Sequence, residues 1–354
     1  MLNPGYTTIS KFLIEQMPET EHGRELAALL VDVAAVIKAV SAALGKGQLM
    51  GMSGLAEAEH EGSRAPRDFD ALAAAYFARG IEWSGLIGAL ASPMTERLNL
   101  VEGVRGPLAL IFDPLEGSEH LDVNVSLGSI FSVLPLPAHA TDGKAVLQPG
   151  NRQLAAGYAI YGPSTQVVLT VGQGTHGFTL DREVGNFVLT HPDIRIPEKT
   201  SEYFINASNR RFWEAPIVRY VEECKEGREG PRGRDFNTRW AASMVADVHR
   251  ILMRGGIYLF PRDQREDHRS GRLQLLFEAN PMAYLVEQAG GWASTGRGRI
   301  LDEVPESLHQ RVPAILGAHE EVERVERYHG EYDRGEDQPY SSPLFGDRSL
   351  FTNH

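Results

Sequence analysis

Apolar residues recur at helical spacing near the start of the chain. From Glu25 to Leu44 they stand mostly three or four positions apart. That spacing puts them on one face, so it predicts an amphipathic helix. A second helix is predicted from about Asp68 to Arg79. The segment 51–67 between them is glycine-containing and mixed in charge, and we expect it to be a mobile loop.

The middle of the chain has the pattern of a sheet. Apolar and polar residues alternate from Leu121 to Leu127, which predicts a strand with one polar face. Shorter β-like runs follow, separated by Gly, Pro and Asp. These runs are Gly157–Tyr161, Val167–Val171, Gly177–Leu180 and Phe187–Thr190.

Helices and strands alternate in the second half, after a proline-containing segment, and we place a domain boundary near Ile196. A helix is predicted from Ala241 to Met253 and a strand from Gly256 to Phe260. A further strand, Leu273–Phe277, leads to Glu278.

Asn280 is predicted to cap the helix that follows this strand. The prediction for the whole chain is an α/β protein with two domains, residues 1–195 and 196–330. The charged residues 331–354 are expected to form a mobile tail.

The candidate chemistry lies where an apolar run, residues 108–112, is followed by Asp113 and Glu116. The proline after Asp113 is predicted to end the strand there. Two carboxylates at a strand's carboxyl end can hold Mg²⁺, and Gly117 and Ser118 can offer amide and hydroxyl groups to a phosphate. The same residue types are also common in surface turns.

Composition narrows the class of protein. The chain has 354 residues, with 47 acidic against 35 basic side chains, so a nucleic-acid binder is disfavoured. Its only cysteine, Cys224, excludes an internal disulfide and favours a reducing compartment. We expect no membrane-spanning segment, since such a span needs roughly 20 apolar residues in one run. We therefore expect a cytoplasmic protein without a membrane partner.

Longer motifs stand at four places in the chain, Asp113–Ser118, Leu121–Phe131, Ser243–Arg250 and Glu278–Tyr284. Together they resemble the bacterial branch of the class I fructose-1,6-bisphosphatases. The resemblance extends from about Thr8 to His329. It implies a layered α/β/α/β/α sugar-phosphatase fold with two mixed-sheet domains, and a homotetramer. It also implies hydrolysis of the 1-phosphate of fructose 1,6-bisphosphate with Mg²⁺, or Mn²⁺, in gluconeogenesis or the Calvin cycle.

The same resemblance implies roles for individual residues. The metal ligands would be Asp113, the Leu115 carbonyl, Glu116 and Glu278. Asp70, Asp113 and Glu116 would be catalytic, although Asp70 could also be a solvated helix residue. Residues that would bind the sugar and its phosphates are Glu116, Gly117, Ser118, Glu119, Asn206, Arg239, Trp240, Met244, Phe260 and Arg272.

Some of these positions have a structural alternative. Arg239 and Arg272 could be ordinary ion-paired arginines, and Met244 and Phe260 could be packing residues. In the family, the arginine that matches Arg239 reaches in from a neighbouring subunit.

The chain also departs from the family pattern in the metal site. Ser92-Pro93-Met94 stands where relatives carry Ser-Glu-Glu, so a bridging carboxylate is missing. The motif Asp becomes Glu116. Further departures are Arg64, Glu119, His120, Trp240 and Arg272; acids that could substitute are Glu57, Glu59, Glu61, Glu96 and Glu119.

Two other functions therefore stay open at this point. The first is a divergent paralogue that binds sugar phosphate with weak or no hydrolysis. The second is a phosphatase for another sugar, such as sedoheptulose 1,7-bisphosphate.

Overall fold

The computed structural model describes residues 6–17, 22–50, 68–95, 99–100, 106–137, 143–265 and 269–337. The predicted mobile loop at 51–67 lies outside these residues, with Arg64 and the acids Glu57, Glu59 and Glu61. Glu96 and residues 338–354 also lie outside them.

Helices and strands follow one another in a mixed order. The helices are α1 (Ile9–Gln16), α2 (Gly23–Leu44), α3 (Asp68–Glu82), α4 (Ala215–Glu226), α5 (Met244–Arg254), α6 (Asn280–Gln288) and α7 (His319–Asp333). The strands are β1 (Ile87–Ala91), β2 (Asn99–Leu100), β3 (Leu108–Glu116), β4 (Leu127–Pro135), β5 (Ala155–Tyr161), β6 (Thr165–Thr170), β7 (Thr175–Asp181), β8 (Asn186–Ile194), β9 (Glu202–Phe204), β10 (Asn237–Arg239), β11 (Ile257–Phe260), β12 (Leu273–Gln274), β13 (Trp292–Ser294), β14 (Arg311–Val312) and β15 (Ala314–Gly317).

The strands form two large sheets. An eight-stranded sheet has the order β2-β1-β3-β4-β5-β6-β7-β8 and is antiparallel except where β1 and β3 run parallel. A five-stranded sheet has the order β10-β9-β11-β15-β13, with parallel pairing on both sides of β9. A separate ladder joins β12 and β14. The predicted helix near the N-terminus and the predicted strands between residues 157 and 190 are confirmed.

Helices lie outside and between the two sheets. One face of the first sheet packs against α1, α2 and α3 in a single apolar cluster. Its other face meets α5 and α6, and the same cluster includes Tyr258 and Leu316 of the second sheet. The opposite side chains, Ile257 and Ile315, pack with α4 and α7. The layer order is α/β/α/β/α, which confirms the predicted fold class.

Helix α2 is long and apolar enough to span a membrane by length and composition, contrary to the sequence expectation. More than half of that apolar stretch is buried inside the protein. Leu29, Val33 and Ile37 pack in the cluster that covers the first sheet. Helix α2 therefore serves as a core helix in this fold, and its length and composition are weak support for a membrane span.

The prediction that Pro114 ends the strand is wrong. Strand β3 continues to Glu116, and its pairing with β4 shifts register between Asp113 and Glu116. Such a bulge leaves a residue out of the ladder, so the missing amide proton of proline costs no ladder hydrogen bond there. The Pro114 carbonyl accepts a hydrogen bond from Ser129 Oγ at 2.7 Å.

Residues 121–126 are not a strand, which corrects a second prediction. A short 3₁₀ helix, Ser118–His120, leads into a turn in which Asn124 has φ 57°. Val123 is 62% exposed. The alternation of apolar and polar residues therefore does not mark a buried face here.

The region before Glu278 also differs from the prediction. Strand β12 contains only Leu273–Gln274, and Leu275–Ala279 form one π-helical turn that runs directly into α6. Asn280 makes no capping hydrogen bond, because the backbone before it is already helical. Glu278 therefore lies within a helical turn and not in front of a helix.

The predicted tail begins too early. Helix α7 continues to Asp333, and Arg219 pairs with both Glu331 and Asp337. The prediction is wrong for residues 331–333, because these residues continue α7 and the ion pairs of Glu331 with Arg219 and of Asp333 with Arg297 hold this last turn.

Candidate functional site

The bulge at the end of β3 aims two carboxylates in different directions. Asp113 is buried, and its Oδ1 accepts a hydrogen bond from the Leu115 amide at 3.2 Å. After Glu116 the chain turns at Gly117, which has φ 78°. This left-handed conformation suits glycine and starts the short helix that carries Ser118.

Asp113 faces a cavity of about 200 Å³, which we call the acid cavity. Ser118 Oγ donates a hydrogen bond to Asp70 Oδ2 at 3.0 Å. This contact joins α3 to the end of β3, so two carboxylates face the same cavity. The acid cavity is lined by Asp70, Pro93, Met94, Asp113, Pro114, Leu115 and Ser118.

A larger cavity of about 400 Å³, the main cavity, opens on the other side of the 116–120 segment. It combines acidic, basic and aromatic side chains. Its lining consists of Glu116, Gly117, Glu119, His120, Asn206, Trp240, Ala242, Met244, Tyr258, Phe260, Arg272, Leu273, Gln274, Glu278 and Arg311.

Glu116 is bound to the N-terminus of helix α5. Its Oε2 accepts hydrogen bonds from Ser243 Oγ at 2.7 Å and the Val245 amide at 3.2 Å, and its Oε1 accepts from the Met244 amide at 2.8 Å. A carboxylate at this place satisfies amide groups that have no partner within the helix. Ser243 in turn caps the helix by accepting from the Ala246 amide.

Burial raises the pKa of Glu116 to about 7, with a smaller contribution from the nearby charge of Glu278, while the hydrogen bonds from α5 oppose the shift. Glu278 Oε2 accepts a hydrogen bond from the Gln274 amide at 2.6 Å. The two glutamates are therefore close enough to repel each other, and both face the main cavity.

This pKa predicts how stability depends on pH. The folded value lies above the ordinary value of 4.5, so between the two the folded protein retains a proton that the unfolded chain has lost. Glu116 should therefore lower the free energy of unfolding as the pH rises from about 4.5 to about 7. We expect the variant Glu116→Gln to show a shallower decline than wild type in urea titrations across this range.

Ser243→Ala provides the contrast for this experiment. It keeps the carboxylate but removes a hydrogen bond that lowers its pKa, so the decline should become steeper. An identical slope in wild type and Glu116→Gln would contradict the assignment of this pH dependence to Glu116.

Three aromatic rings form one wall of the main cavity. Trp240, Tyr258 and Phe260 lie nearly parallel, with centroids about 6 Å apart. The guanidinium of Arg272 lies 5.3 Å from the centre of the Phe260 ring. Flat apolar walls of this kind suit the C–H faces of a sugar ring.

Most of the predicted substrate residues line the main cavity, but Arg239 does not. In the part of the chain that the structure describes, Arg239 lies on β10 and pairs with Glu202 at 3.2 Å. Ser118 faces the acid cavity instead. Asn206 lines the main cavity while its Oδ1 accepts from the Ser208 amide.

Sequence reasoning missed several residues of the main cavity, namely His120, Tyr258, Gln274 and Arg311. It also missed the role of Ser243 by starting helix α5 at Ala241. Ser243 is a preferred N-cap residue type and stands directly before the apolar-periodic run that begins at Met244, and this signal could have located the start.

The predicted metal ligands do not form one cluster. No group of three or more acids, histidines or cysteines that could hold a metal is found among the described residues. Asp113 shares the acid cavity with Asp70, whereas Glu116 and Glu278 share the main cavity. The physical reason is that the Glu116 carboxylate is turned towards helix α5.

The residues nevertheless fit a hard divalent cation by donor type. Asp70, Asp113 and the Leu115 carbonyl are oxygen donors beside the same cavity. Mg²⁺ commonly uses one or two carboxylates and completes its coordination with water and substrate phosphate. Asp113 and the Leu115 carbonyl can supply this minimum of protein ligands, and Asp70 lies beside the same cavity.

Comparison with known proteins identifies the family. The model of the fructose-1,6-bisphosphatase N-terminal domain matches residues 7–192, and that of the C-terminal domain matches residues 196–330. The chain belongs to the fructose-1,6-bisphosphatase family. The family is metal-dependent, in agreement with the oxygen donors of the acid cavity.

Similar fructose-1,6-bisphosphatases are found in bacteria. The chain is 50% identical over 350 residues to the class 1 fructose-1,6-bisphosphatase of Methylacidiphilum infernorum, covering 98% of both chains. It is 48% identical over 352 residues to a class 1 enzyme of Methylibium petroleiphilum, again covering 98% of both.

A solved structure of the family has the same fold. The fructose-1,6-bisphosphatase of Leishmania major in its holo form superimposes with a TM-score of 0.84 at 34% identity. The match covers 92% of this chain and 100% of the other. The layered architecture described above is therefore the family architecture.

Proposed function

We propose that the protein hydrolyses the 1-phosphate of fructose 1,6-bisphosphate to give fructose 6-phosphate and phosphate. The observation that supports this most is the pairing of an acid cavity, lined by Asp70 and Asp113, with a larger cavity that has cationic and aromatic walls. The acid cavity suits metal-dependent hydrolysis, and the larger cavity suits binding of a phosphorylated sugar. Relatives at 50% and 48% identity carry the name of this activity.

In this proposal the main cavity holds the sugar. The aromatic wall packs on the sugar ring, Arg272 donates to the phosphate that is not hydrolysed, and Asn206 contacts the same end. Gly117, Ser118 and Glu119 border the reacting phosphate. Met244 contributes mainly packing, since its side chain is buried against the central helices.

We propose Mg²⁺, with Mn²⁺ as the alternative, as the metal. Asp113 and the Leu115 carbonyl would hold it in the acid cavity, and Glu116 and Glu278 would approach from the main cavity. A divalent cation bound there acidifies water and offsets charge on the phosphoryl group.

Asp70 accepts a proton from the attacking water in this proposal. Its carboxylate lies beside the acid cavity, and the hydrogen bond from Ser118 Oγ orients it. A positioned base of this kind contributes to hydrolysis by removing the proton as the phosphorus–oxygen bond forms.

A phosphate-release assay tests the proposal. Purified full-length protein with fructose 1,6-bisphosphate should release phosphate with Mg²⁺ or Mn²⁺ and should stop when the metal is chelated. Sedoheptulose 1,7-bisphosphate, assayed in parallel, reports on the choice of sugar. Faster phosphate release from sedoheptulose 1,7-bisphosphate would show that this sugar bisphosphate is the preferred substrate.

One observation favours a second candidate, a paralogue that binds sugar phosphate without efficient hydrolysis. Glu116 is engaged by three hydrogen bonds at α5, and Pro93 and Met94 line the acid cavity where relatives carry acids. Calorimetric binding of fructose 1,6-bisphosphate without phosphate release would establish this alternative.

We further propose a cytoplasmic homotetramer with the two domains 1–195 and 196–330. Arg239 supports a shared site, because it lies on an edge strand and has an accessible side chain. An arginine at that place can reach the main cavity of a neighbouring subunit.

A further inference from the structure

Most arginines around the second sheet are held by carboxylates. Arg219, Arg232 and Arg299 each have an acidic oxygen at 2.6 Å. Arg311 is different, since no carboxylate of the described residues forms an ion pair with it. Its Nη1 donates instead to the backbone carbonyl of Arg272 at 2.6 Å. This contact ties the Arg311 guanidinium to the backbone of a second arginine.

The short ladder of β12 and β14 places Arg311 directly opposite Gln274. Both residues line the main cavity. Side chains of directly opposed residues in an antiparallel ladder lie on the same face, close enough to act on one ligand. The ladder therefore presents a cation and an amide to the cavity side by side.

Gln274 provides an independent observation. Its side chain is more than nine-tenths buried, with 8% exposure, and no described residue donates a hydrogen bond to its Oε1. Leaving a buried acceptor unpaired is unfavourable, and native proteins seldom do so without a ligand or water. A hydroxyl group of a ligand in the main cavity would satisfy it.

The charges of the cavity point to the same ligand. Glu116, Glu119 and Glu278 line it together with Arg272 and Arg311. A phosphate monoester carries close to two negative charges, so it needs more than one cation to offset it beside these acids. The guanidinium groups of Arg272 and Arg311, which line the same cavity, can supply two cations.

We propose that Arg311 is a further phosphate-binding residue. Arg311 and Arg272 clamp the phosphate that is not hydrolysed, and Gln274 accepts a hydrogen bond from a hydroxyl group of the sugar. This inference rests on the proposed function, since it takes the occupant of the main cavity to be the sugar bisphosphate.

Calorimetry with fructose 6-phosphate tests the clamp without requiring turnover. In Arg311→Gln the Kd should rise about 10- to 100-fold, as expected for loss of a charged hydrogen-bond donor. Arg311→Lys should recover part of this, because it keeps the charge without the forked donor. The control Arg195→Gln should match wild type, since Arg195 is exposed and pairs with Asp193 elsewhere.

Kinetics separate a clamp from a structural role. With fructose 1,6-bisphosphate, Arg311→Gln should raise KM by a similar factor and change kcat little. Fructose 1-phosphate lacks the clamped group, so its Kd should be the same in both proteins. Gln274→Met should weaken binding of fructose 6-phosphate but not of inorganic phosphate.

The outcomes distinguish this inference from the proposed function. An unchanged Kd for fructose 6-phosphate in folded Arg311→Gln overturns the clamp. If Arg311→Gln is unstable, an unchanged Kd for fructose 6-phosphate in Arg311→Lys overturns the clamp instead. Wild type that binds fructose 6-phosphate but releases no phosphate overturns only the hydrolysis, and wild type that binds no sugar phosphate overturns both.

Discussion

Asp113→Asn is expected to lower phosphate release by at least about 100-fold, because a metal site that loses a carboxylate loses several kcal/mol of transition-state stabilisation. The change is isosteric, and the Oδ1 of asparagine can still accept from the Leu115 amide across the bulge. The fold should therefore persist while the acid cavity loses a charge. Phosphate release and the Mg²⁺ concentration for half-maximal rate are the two measurements.

Asp181→Asn is the matched control for this change. Asp181 also accepts backbone hydrogen bonds, from the amides of Glu183 and Val184, but it is the last residue of β7, where the chain turns towards β8. Its replacement should leave the rate unchanged. Full activity of Asp113→Asn at low Mg²⁺ would remove Asp113 from the catalytic site.

Gly271→Ala is expected to lower the free energy of unfolding by about 3 kcal/mol or more, from overpacking together with backbone strain. Gly271 has φ 93°, and an added Cβ would lie 2.0 Å from the Val312 carbonyl carbon. That carbon belongs to backbone, so a side-chain rotation cannot relieve the contact. The β12–β14 ladder would have to separate, which would also displace Arg272 and Arg311. Denaturant unfolding measures the loss.

The variant Gly290→Ala serves as a comparison. It separates the loss of unfolding free energy caused by the close contact at Gly271 from the loss caused by a left-handed backbone conformation. Gly290 has φ 81°, but no atom lies within 4 Å of an added Cβ. Its replacement should cost about 1 kcal/mol, the strain of a left-handed residue alone. Equal losses in the two variants would show that the close approach at Gly271 is unimportant.

The fold could be predicted where local patterns and tertiary packing agree. Helix α2 follows its apolar spacing, and strands β5 to β8 follow short apolar runs bounded by turn residues. Prediction failed where a sequence pattern typical of a strand occurred in a segment that forms a turn. Residues 121–126 alternate in polarity, but Asn124 adopts a left-handed conformation that turns the chain.

The candidate site was harder to predict because its geometry depends on distant residues. Composition and motif place Asp113 and Glu116 together, and both do lie at the end of β3. The orientation of Glu116 is fixed by Ser243, 127 positions later, which no local pattern can reveal. Arg311 is likewise brought to the main cavity only by its pairing with β12.

The helices α5 and α6 lie between the two sheets and bury apolar side chains against both of them. The inner face of each sheet is therefore shielded from water by this shared helical layer. Unfolding of one sheet would remove the support of the layer and expose the inner face of the other sheet. On heating, we therefore expect the two sheets to lose their inner-face packing together.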